Sequence, residues 1–329
     1  MNILVTGGLG LIGYRVVRRL LDQGHLVSVS DTRTNYGFIP QCELSYLITE
    51  RLKHIPEVLQ NAYTIDIADT DGINWVMQQH QPDVIIHLAS YPRQKAVNVD
   101  PQHASRTMSQ GLLNLLEASA KHSVKKFVYA SSSMVYGDFV HSIREDAVCK
   151  PQGQYGIMKL AGEWLVKDYA RKGHFNYTII RPSAVYGEYD VADRVISKFL
   201  ITAMQGGELQ VNGAAETLDF TYADDAADGF VAAAVSDASH NKTYNITKSC
   251  SHTLLEAAEL AVQLAGAGSI NVKDRDTDFP VRSALNIDAA KQDLNFNPQI
   301  DIREGIARYH KWLRHSFYWS TKTIPAAKN

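Results

Sequence analysis

A chain of 329 residues that is 45% hydrophobic and 21% charged has the makeup of a globular protein with a full core, built as one large α/β unit or two ordinary domains. Its formal net charge of −2 gives no ground for a nucleic-acid partner or an anionic membrane surface. Three scattered cysteines (Cys42, Cys149, Cys250) lack CxxC spacing, and twelve histidines form no HxxxH or HExxH, so neither a disulfide framework nor a metal site is expected and a reducing cytoplasm fits.

The run NILVT (2–6) predicts a first strand; it begins at Asn2, so no cleavable leader is expected. No stretch of about 18 apolar residues is present to span a bilayer. Tyr14–Gln23 reads as a helix with Val16, Val17, Leu20 and Leu21 on one face and Arg15, Arg18, Arg19 and Asp22 on another, ended by Gly24. LVSVSD (26–31) is a second strand. VIIHLA (84–89) and KFVYAS (126–131) are nearly continuous hydrophobe, the pattern of parallel strands covered on both faces. The basic stretch KHSVKK (121–126) reads as a solvated helix end. YTIIRP (177–182) and TYNI (243–246) extend the sheet. GELQVN (207–212), the helical pattern LLEAAELAVQLAGA (254–267) and a last helix near 302–314 read as a smaller lobe on the sheet's carboxyl edge. After Arg314 the tail HSFYWSTKTIPAAKN loses periodicity and is expected to be loosely held.

Between the first strand and the first helix stands TGGLGLIG (6–13). Gly8, Gly10 and Gly13 satisfy G-x-G-x-x-G, and Gly7, Gly10 and Gly13 satisfy G-x-x-G-x-x-G. Such a turn lets a pyrophosphate rest on the helix N-terminus, which makes Gly7, Gly10, Leu11, Ile12 and Gly13 cofactor-binding candidates. Asp31 closes the second strand, where a carboxylate accepts from the adenosine ribose hydroxyls and repels a 2′-phosphate; NAD is favoured over NADP. Arg33 stands two residues on and partly offsets that preference. A glycine turn used only for packing is the bland alternative, and the strand, helix and acid in register argue against it.

QYGIMK (154–159) places Tyr155 and Lys159 four apart on one helix face. A phenol with a reference pKa of about 10 is a poor base at neutral pH, and a nearby ammonium would favour its phenolate. One of the serines in SSSMVYG (131–137) supplies a hydroxyl to orient a substrate oxygen.

In these motifs the chain resembles the extended short-chain dehydrogenase/reductase superfamily, in its NAD-dependent nucleotide-sugar epimerase/dehydratase branch. The carriers are TGGLGLIG, Asp31, Asp66–Ile67, HLAS (87–90), SSSMVYGD, YGIMK, IRPSAVYG (180–187), GGELQVNGAAETLDFTYADDAADG (206–229) and ALNIDAAKQDLNFNP (284–298). The resemblance implies an α/β, Rossmann-type doubly wound parallel sheet with a smaller C-terminal α/β substrate lobe. Residues 1–181, with a returning segment about 224–247, would bind NAD, and 182–329 would mostly bind substrate. It implies Ser132, Tyr155 and Lys159 as catalytic residues, Asp66 and Ile67 at the adenine, Leu88 and Ala89 along the cofactor cleft, and Pro182 near the nicotinamide. Ser132, Ser133, Met134 and Tyr155 would face the substrate. It also implies a homodimer paired through helices at 102–121 and 155–172, where LLNLLEA (112–118) offers apolar surface that one chain could equally cover.

In 4,6-dehydratases of this branch an acidic pair follows the catalytic hydroxyl; here those positions are Ser133 and Met134, so loss of water is disfavoured. Three further departures stand out. Leu218 occupies the place of an arginine that binds the substrate diphosphate, Ala184 that of a substrate-touching asparagine, and Met108 that of the asparagine in N-x-x-G-T. Losing a charge-assisted contact is expensive, so either another arginine has replaced it or the substrate lacks a diphosphate. Arg282 is the first candidate, then Arg275, with Arg93 and Lys95 behind. The leading expectation is a cytoplasmic NAD-dependent epimerase of a nucleotide sugar. The alternatives are a dehydrogenase or reductase of a free sugar, sugar acid or polyol, and a non-catalytic dinucleotide-binding regulator, which the intact trio argues against. The shape of the cleft, not any motif, sets the sugar, nucleotide and stereocentre.

Overall fold

The computed structural model describes residues 1–316; the expected loose tail lies outside the described residues beyond His315 and Ser316. In chain order, β1 (Asn2–Thr6) runs through the glycine turn into α1 (Gly13–Asp22), followed by β2 (Leu26–Ser30), α2 (Gln41–Lys53), β3 (Ala62–Tyr63), α3 (Thr70–His80) and β4 (Val84–His87). Next come α4 (Gln94–Val99), α5 (Pro101–Ser105), a π-helical turn at Arg106–Gly111, α6 (Leu112–Lys121), β5 (Lys126–Ala130), α7 (Gly153–Arg171) and β6 (Asn176–Pro182). The rest comprises β7 (Val185–Tyr186), α8 (Val195–Met204), β8 (Glu208–Asn212), β9 (Thr217–Asp219), β10 (Thr221–Tyr222), α9 (Ala223–Val235), β11 (Lys242–Ile246), β12 (Ser251–Thr253), α10 (Leu254–Ala265), β13 (Ser269–Lys273), α11 (Asp288–Leu294) and α12 (Ile302–His315).

Seven strands form one parallel sheet in the order β11-β6-β5-β4-β1-β2-β3. This is the Rossmann-type α/β fold. Strand periodicity explains the double cover. Ile3, Val5, Val84, Ile86, Val128 and Ile180 point to the face packed by α1, α9 and α11; Leu4, Ile85, Phe127, Tyr129 and Ile179 point to α6 and α7. Strand order reverses on either side of β1, so the connections diverge there and leave a crevice at the carboxyl ends. Thr6, Ser30 and His87 lie in register along that edge, with Ala130 beside Ile180 and Pro182 beside Ile246.

A second core joins α8, β8, α10 and α12 through Phe199, Leu200, Leu209, Val211, Ile306 and Leu313. Ala257, Ala258 and Ala261 on α10 are small enough to let α8 approach closely. Thr253 and Glu256 form a capping box that starts α10, and Gly266 in the left-handed region ends it.

The single helix expected over 102–121 is instead α5, the π-helical turn and α6. Gly111 at the end of that turn sits on Ile67, where an added Cβ would lie 2.6 Å from the isoleucine Cγ1. Leu112, Leu115 and Leu116 of LLNLLEA are fully buried within the chain, whereas Ile157 and Trp164 of α7 are exposed. Three strands end before the sequence expects: Asp31, Leu88, Ala89 and Ser131 leave the sheet and turn into the crevice. No helix among the described residues is long and apolar enough to cross a membrane, and no cluster of His, Cys, Asp or Glu among them has the geometry to hold a metal.

Candidate active site

The crevice holds two adjoining cavities. The first, of about 340 Å3, is lined by Gly7, Gly10, Leu11, Ile12, Gly13, Asp31, Asp66, Ile67, Leu88, Ala89, Tyr155, Lys159 and Pro182, all singled out by the sequence. The turn leaves no room for side chains at two of its glycines. A Cβ on Gly13 would lie 2.2 Å from the Gly7 carbonyl oxygen, and Gly7 itself has φ +71° and packs on the Ala89 backbone. No side chain caps α1, whose N-cap is Ile12, and no acid stands in its first turn, so its N–H groups face the cavity without a side-chain acceptor. The Asp31 carboxylate is pinned by the Leu9 N–H at 2.9 Å and the Arg33 N–H at 2.7 Å. Arg33 departs from its expected place. With φ +54° it contributes that N–H, and its exposed side chain is not part of the cavity wall. An uncapped helix N-terminus facing a fixed carboxylate across this cavity fits a dinucleotide with free ribose hydroxyls.

The second cavity, of about 820 Å3, extends between the sheet edge and the lobe. Tyr155, Ser131, Pro182, Arg93 and Arg194 line both cavities, and Ser132, Ser133, Met134 and Arg282 line the second. Ser132 caps the short 3-10 turn Ser133–Val135, its Oγ accepting from the Met134 N–H at 3.2 Å. Ser132 and Tyr155 line the same wall of the second cavity. Burial raises the phenol above its ordinary pKa, while the Ser132 hydroxyl and the charge of Arg194 pull it down.

Lys159 serves Tyr155 differently from the sequence expectation. Its ammonium donates to the Ala130 carbonyl at 2.6 Å and lies 5.9 Å from the centre of the Tyr155 ring. Burial lowers Lys159 to about 7, with Glu163 one helical turn away opposing the shift. Glu163 is itself fully buried. Arg181 Nε and Nη2 donate to it at 2.8 and 2.6 Å, and the Ser131 hydroxyl at 2.5 Å. Arg181 also donates to the Tyr136 hydroxyl at 2.9 Å, which donates to Asn245 at 2.7 Å. A buried ion pair held by further hydrogen bonds thus backs the serines and the lysine together.

The three departures have structural counterparts. Met108 joins an apolar cluster with Tyr91, Ala96 and Val97 against which Tyr155 packs. Ala184 sits at φ 38°, a region asparagine tolerates better than alanine. Leu218 of β9 lines the second cavity, as does Arg282, and its two neighbours bond the segment that carries Arg282. The Thr217 hydroxyl donates to the Arg282 carbonyl, and the Asp219 carboxylate accepts the Leu285 N–H at 2.9 Å. Arg282 Nε is buried without a hydrogen-bond partner, and burial lowers the guanidinium to about 10. Arg275 is instead paired with Glu216 at 3.0 Å and is not part of either cavity wall. Two residues not singled out by the sequence join the site: Glu163, whose i+4 spacing from Lys159 was legible, and Arg194, which no local motif marks.

A family model described as "NAD dependent epimerase/dehydratase family" matches residues 3–247. The chain is 29% identical over 325 residues to an uncharacterized UDP-glucose epimerase, YtcB, of Bacillus subtilis, covering 95% of this chain and 98% of the relative. It is 26% identical to a dTDP-glucose 4,6-dehydratase of Streptomyces griseus, covering 99% and 98%. Among solved structures, a UDP-glucuronic acid 4-epimerase from Bacillus cereus, in complex with UDP-glucuronic acid and NAD, superposes with a TM-score of 0.87 at 26% identity, covering 95% of this chain and 99% of that one.

Proposed function

The chain belongs to the NAD-dependent epimerase/dehydratase family, and from that membership we propose that it is a cytoplasmic NAD-dependent epimerase of a nucleotide sugar. The observation that carries the reading is Tyr155 in the wall that both cavities share, with Ser132 lining the larger one and no acid at Ser133 or Met134. Residues 1–181 and about 224–247 hold the cofactor and the remainder mostly the substrate. The glycine turn would take the diphosphate, Asp31 the adenosine ribose, and Asp66 and Ile67 the adenine. When bound, NAD supplies a hydride acceptor and, on return, a hydride donor.

The chain's own part is proton handling and orientation. Tyr155 Oη takes the proton of a secondary alcohol as the carbon loses its hydride, and Ser132 Oγ steadies the same oxygen. Lys159, anchored on Ala130, supplies positive charge beneath the phenol. A ketone so formed would have room to turn within the larger cavity, and Tyr155 would return the proton to its oxygen. Loss of water would need an acid at Ser133 or Met134, and neither can deliver a proton. Arg282, fastened by β9, takes the diphosphate in place of the arginine missing at 218. We further propose a homodimer through the helices at 102–121 and 155–172, to which α7 would bring its exposed Ile157 and Trp164.

Leu218 favours a second reading, an NAD-dependent dehydrogenase of a free sugar or sugar acid. Thermal melting of the NAD-saturated protein with UDP, dTDP, GDP and CDP at about 1 mM separates the two. A ligand at ~100 times its dissociation constant stabilises by about 2.7 kcal/mol, enough to raise the melting temperature by several degrees. A rise with one nucleotide is expected. No rise with any of them would discard the nucleotide handle, and free sugars would then be screened for NADH formation.

A further inference from the structure

Four cations outside the catalytic trio gather where the two cavities meet. Arg93 and Arg194 line both cavities, and Lys95 and Lys198 line the larger one. Three of the four share one carboxylate. Asp193 pairs with Arg93, with Lys198 at 2.8 Å and with Lys95 at 3.8 Å. Arg194 reaches Asp190 at 4.0 Å and donates to the Pro92 carbonyl at 3.3 Å. Positive charge is therefore in excess on this wall. The larger cavity's other carboxylates, Glu208, Glu216 and Asp276, line its wall together with Arg282. Two of them are engaged, Glu208 by Asn271 and Glu216 by Arg275.

The cluster is held, not adventitious. The Phe38 ring lies 4.9 Å from both the Arg93 guanidinium carbon and the Lys95 ammonium. Helix α2 fixes the loop that carries Asp193 and Arg194: Glu43 accepts the Ala192 N–H at 2.8 Å, and Arg51 donates to the Tyr189 carbonyl at 2.6 Å. Burial and mutual repulsion lower Arg93, Lys95 and Lys198 below their ordinary values. A fixed wall of mutually repelling cations costs the fold stability and is relieved when an anion arrives.

The position of the wall says which part of a substrate would carry that anion. A sugar presenting a hydroxyl to Tyr155 must occupy the junction lined by Arg93 and Arg194, whereas the nucleotide's diphosphate belongs to Arg282. We propose that the sugar bears a carboxylate, received by Arg194 and Arg93 with Lys95 and Lys198 behind them, so that the substrate is a nucleotide-linked sugar acid. This rests on the epimerase reading of the same site and narrows it.

The test is titration of the NAD-saturated protein with UDP, UDP-glucose and UDP-glucuronate, for the wild type, Arg194→Met, and the double variant Lys95→Met/Lys198→Met. The lysines are half exposed, so the double variant keeps the fold even if Arg194→Met does not. A guanidinium–carboxylate contact is expected to give the wild type at least a ten-fold preference for UDP-glucuronate over UDP-glucose. That preference should fall toward unity in Arg194→Met and several-fold in the lysine variant. Equal affinities in the wild type overturn the proposal. So does a variant that weakens all three ligands alike, because the cluster then holds the diphosphate, or one that weakens NAD instead. If none of the uridine ligands binds, the series is repeated with the nucleotide that raises the melting temperature, and if none of the four does, the nucleotide reading has failed by itself. Glucuronate and galacturonate are then compared with glucose and galactose: binding of the acids alone keeps the carboxylate site, and any other result removes it.

Discussion

Lys159 is an ammonium kept almost wholly out of water and bonded to one backbone carbonyl, and its charge is correspondingly easy to lose. Its pKa of about 7 in the folded chain compares with about 10.4 in an unfolded one. Between those values the unfolded state binds more protons, so the lysine makes stability rise with pH from about 7 upward and costs most below it. Lys159→Met removes that dependence. Relative to the variant, the wild type should gain about 2 kcal/mol between pH 7 and 9, or about 3 °C in melting temperature. Parallel melting curves across that range would show that the lysine is not desolvated. The same balance bears on catalysis, because the Glu163 carboxylate is what opposes the loss of the proton. The phenol it serves is raised by burial and drawn back by Ser132 and Arg194. A tyrosine in that condition starts as an acid and becomes a base only when further positive charge lies over it.

At the scale of elements, the proposed reading has β9 make good a missing side chain by holding the segment that carries another. Thr217 and Asp219 flank Leu218 and fasten the segment from Arg282 to Leu285 across the cavity. Arg282→Met should weaken nucleoside diphosphate binding by about ten- to a hundred-fold, the worth of one charge-assisted hydrogen-bonded contact. Arg275→Met should leave binding within two-fold, since that guanidinium is spent on Glu216. Equal losses in a calorimetric titration would refute the substitution. The sequence made Arg282 a candidate but held no information on which arginine was already paired, because the pairing partner lies 59 residues away. The strands and α1 were legible because hydrophobic period and glycine spacing are local. The π-helical turn was not, since it depends on Gly111 meeting Ile67 from another element. For the same reason Arg33 was placed at the cofactor while its backbone alone reaches Asp31. Arg194 escaped notice altogether because only the folded loop from Gly187 brings it toward Tyr155.

For the whole molecule, the sheet's switch point and the lobe together create two cavities that share one wall, with Tyr155 in it. A cofactor in one and a sugar in the other would meet only there, which confines the reaction to a carbon beside a single proton-transfer group. On the proposed reading the wider cavity would give a ketone room to turn over without leaving, the step that separates an epimerase from a dehydrogenase. On the same reading the lack of an acid beside Ser132 would set it apart from a dehydratase. Proton NMR of UDP-glucuronate and UDP-glucose incubated in D2O with the NAD-loaded protein tests this most directly. An epimerase gives a second set of sugar signals from an epimer, with no deuterium at any carbon, no NADH accumulating, and no product from Tyr155→Phe. A deoxy-keto product carrying solvent deuterium, or a ketone formed with stoichiometric NADH, would contradict the epimerase reading.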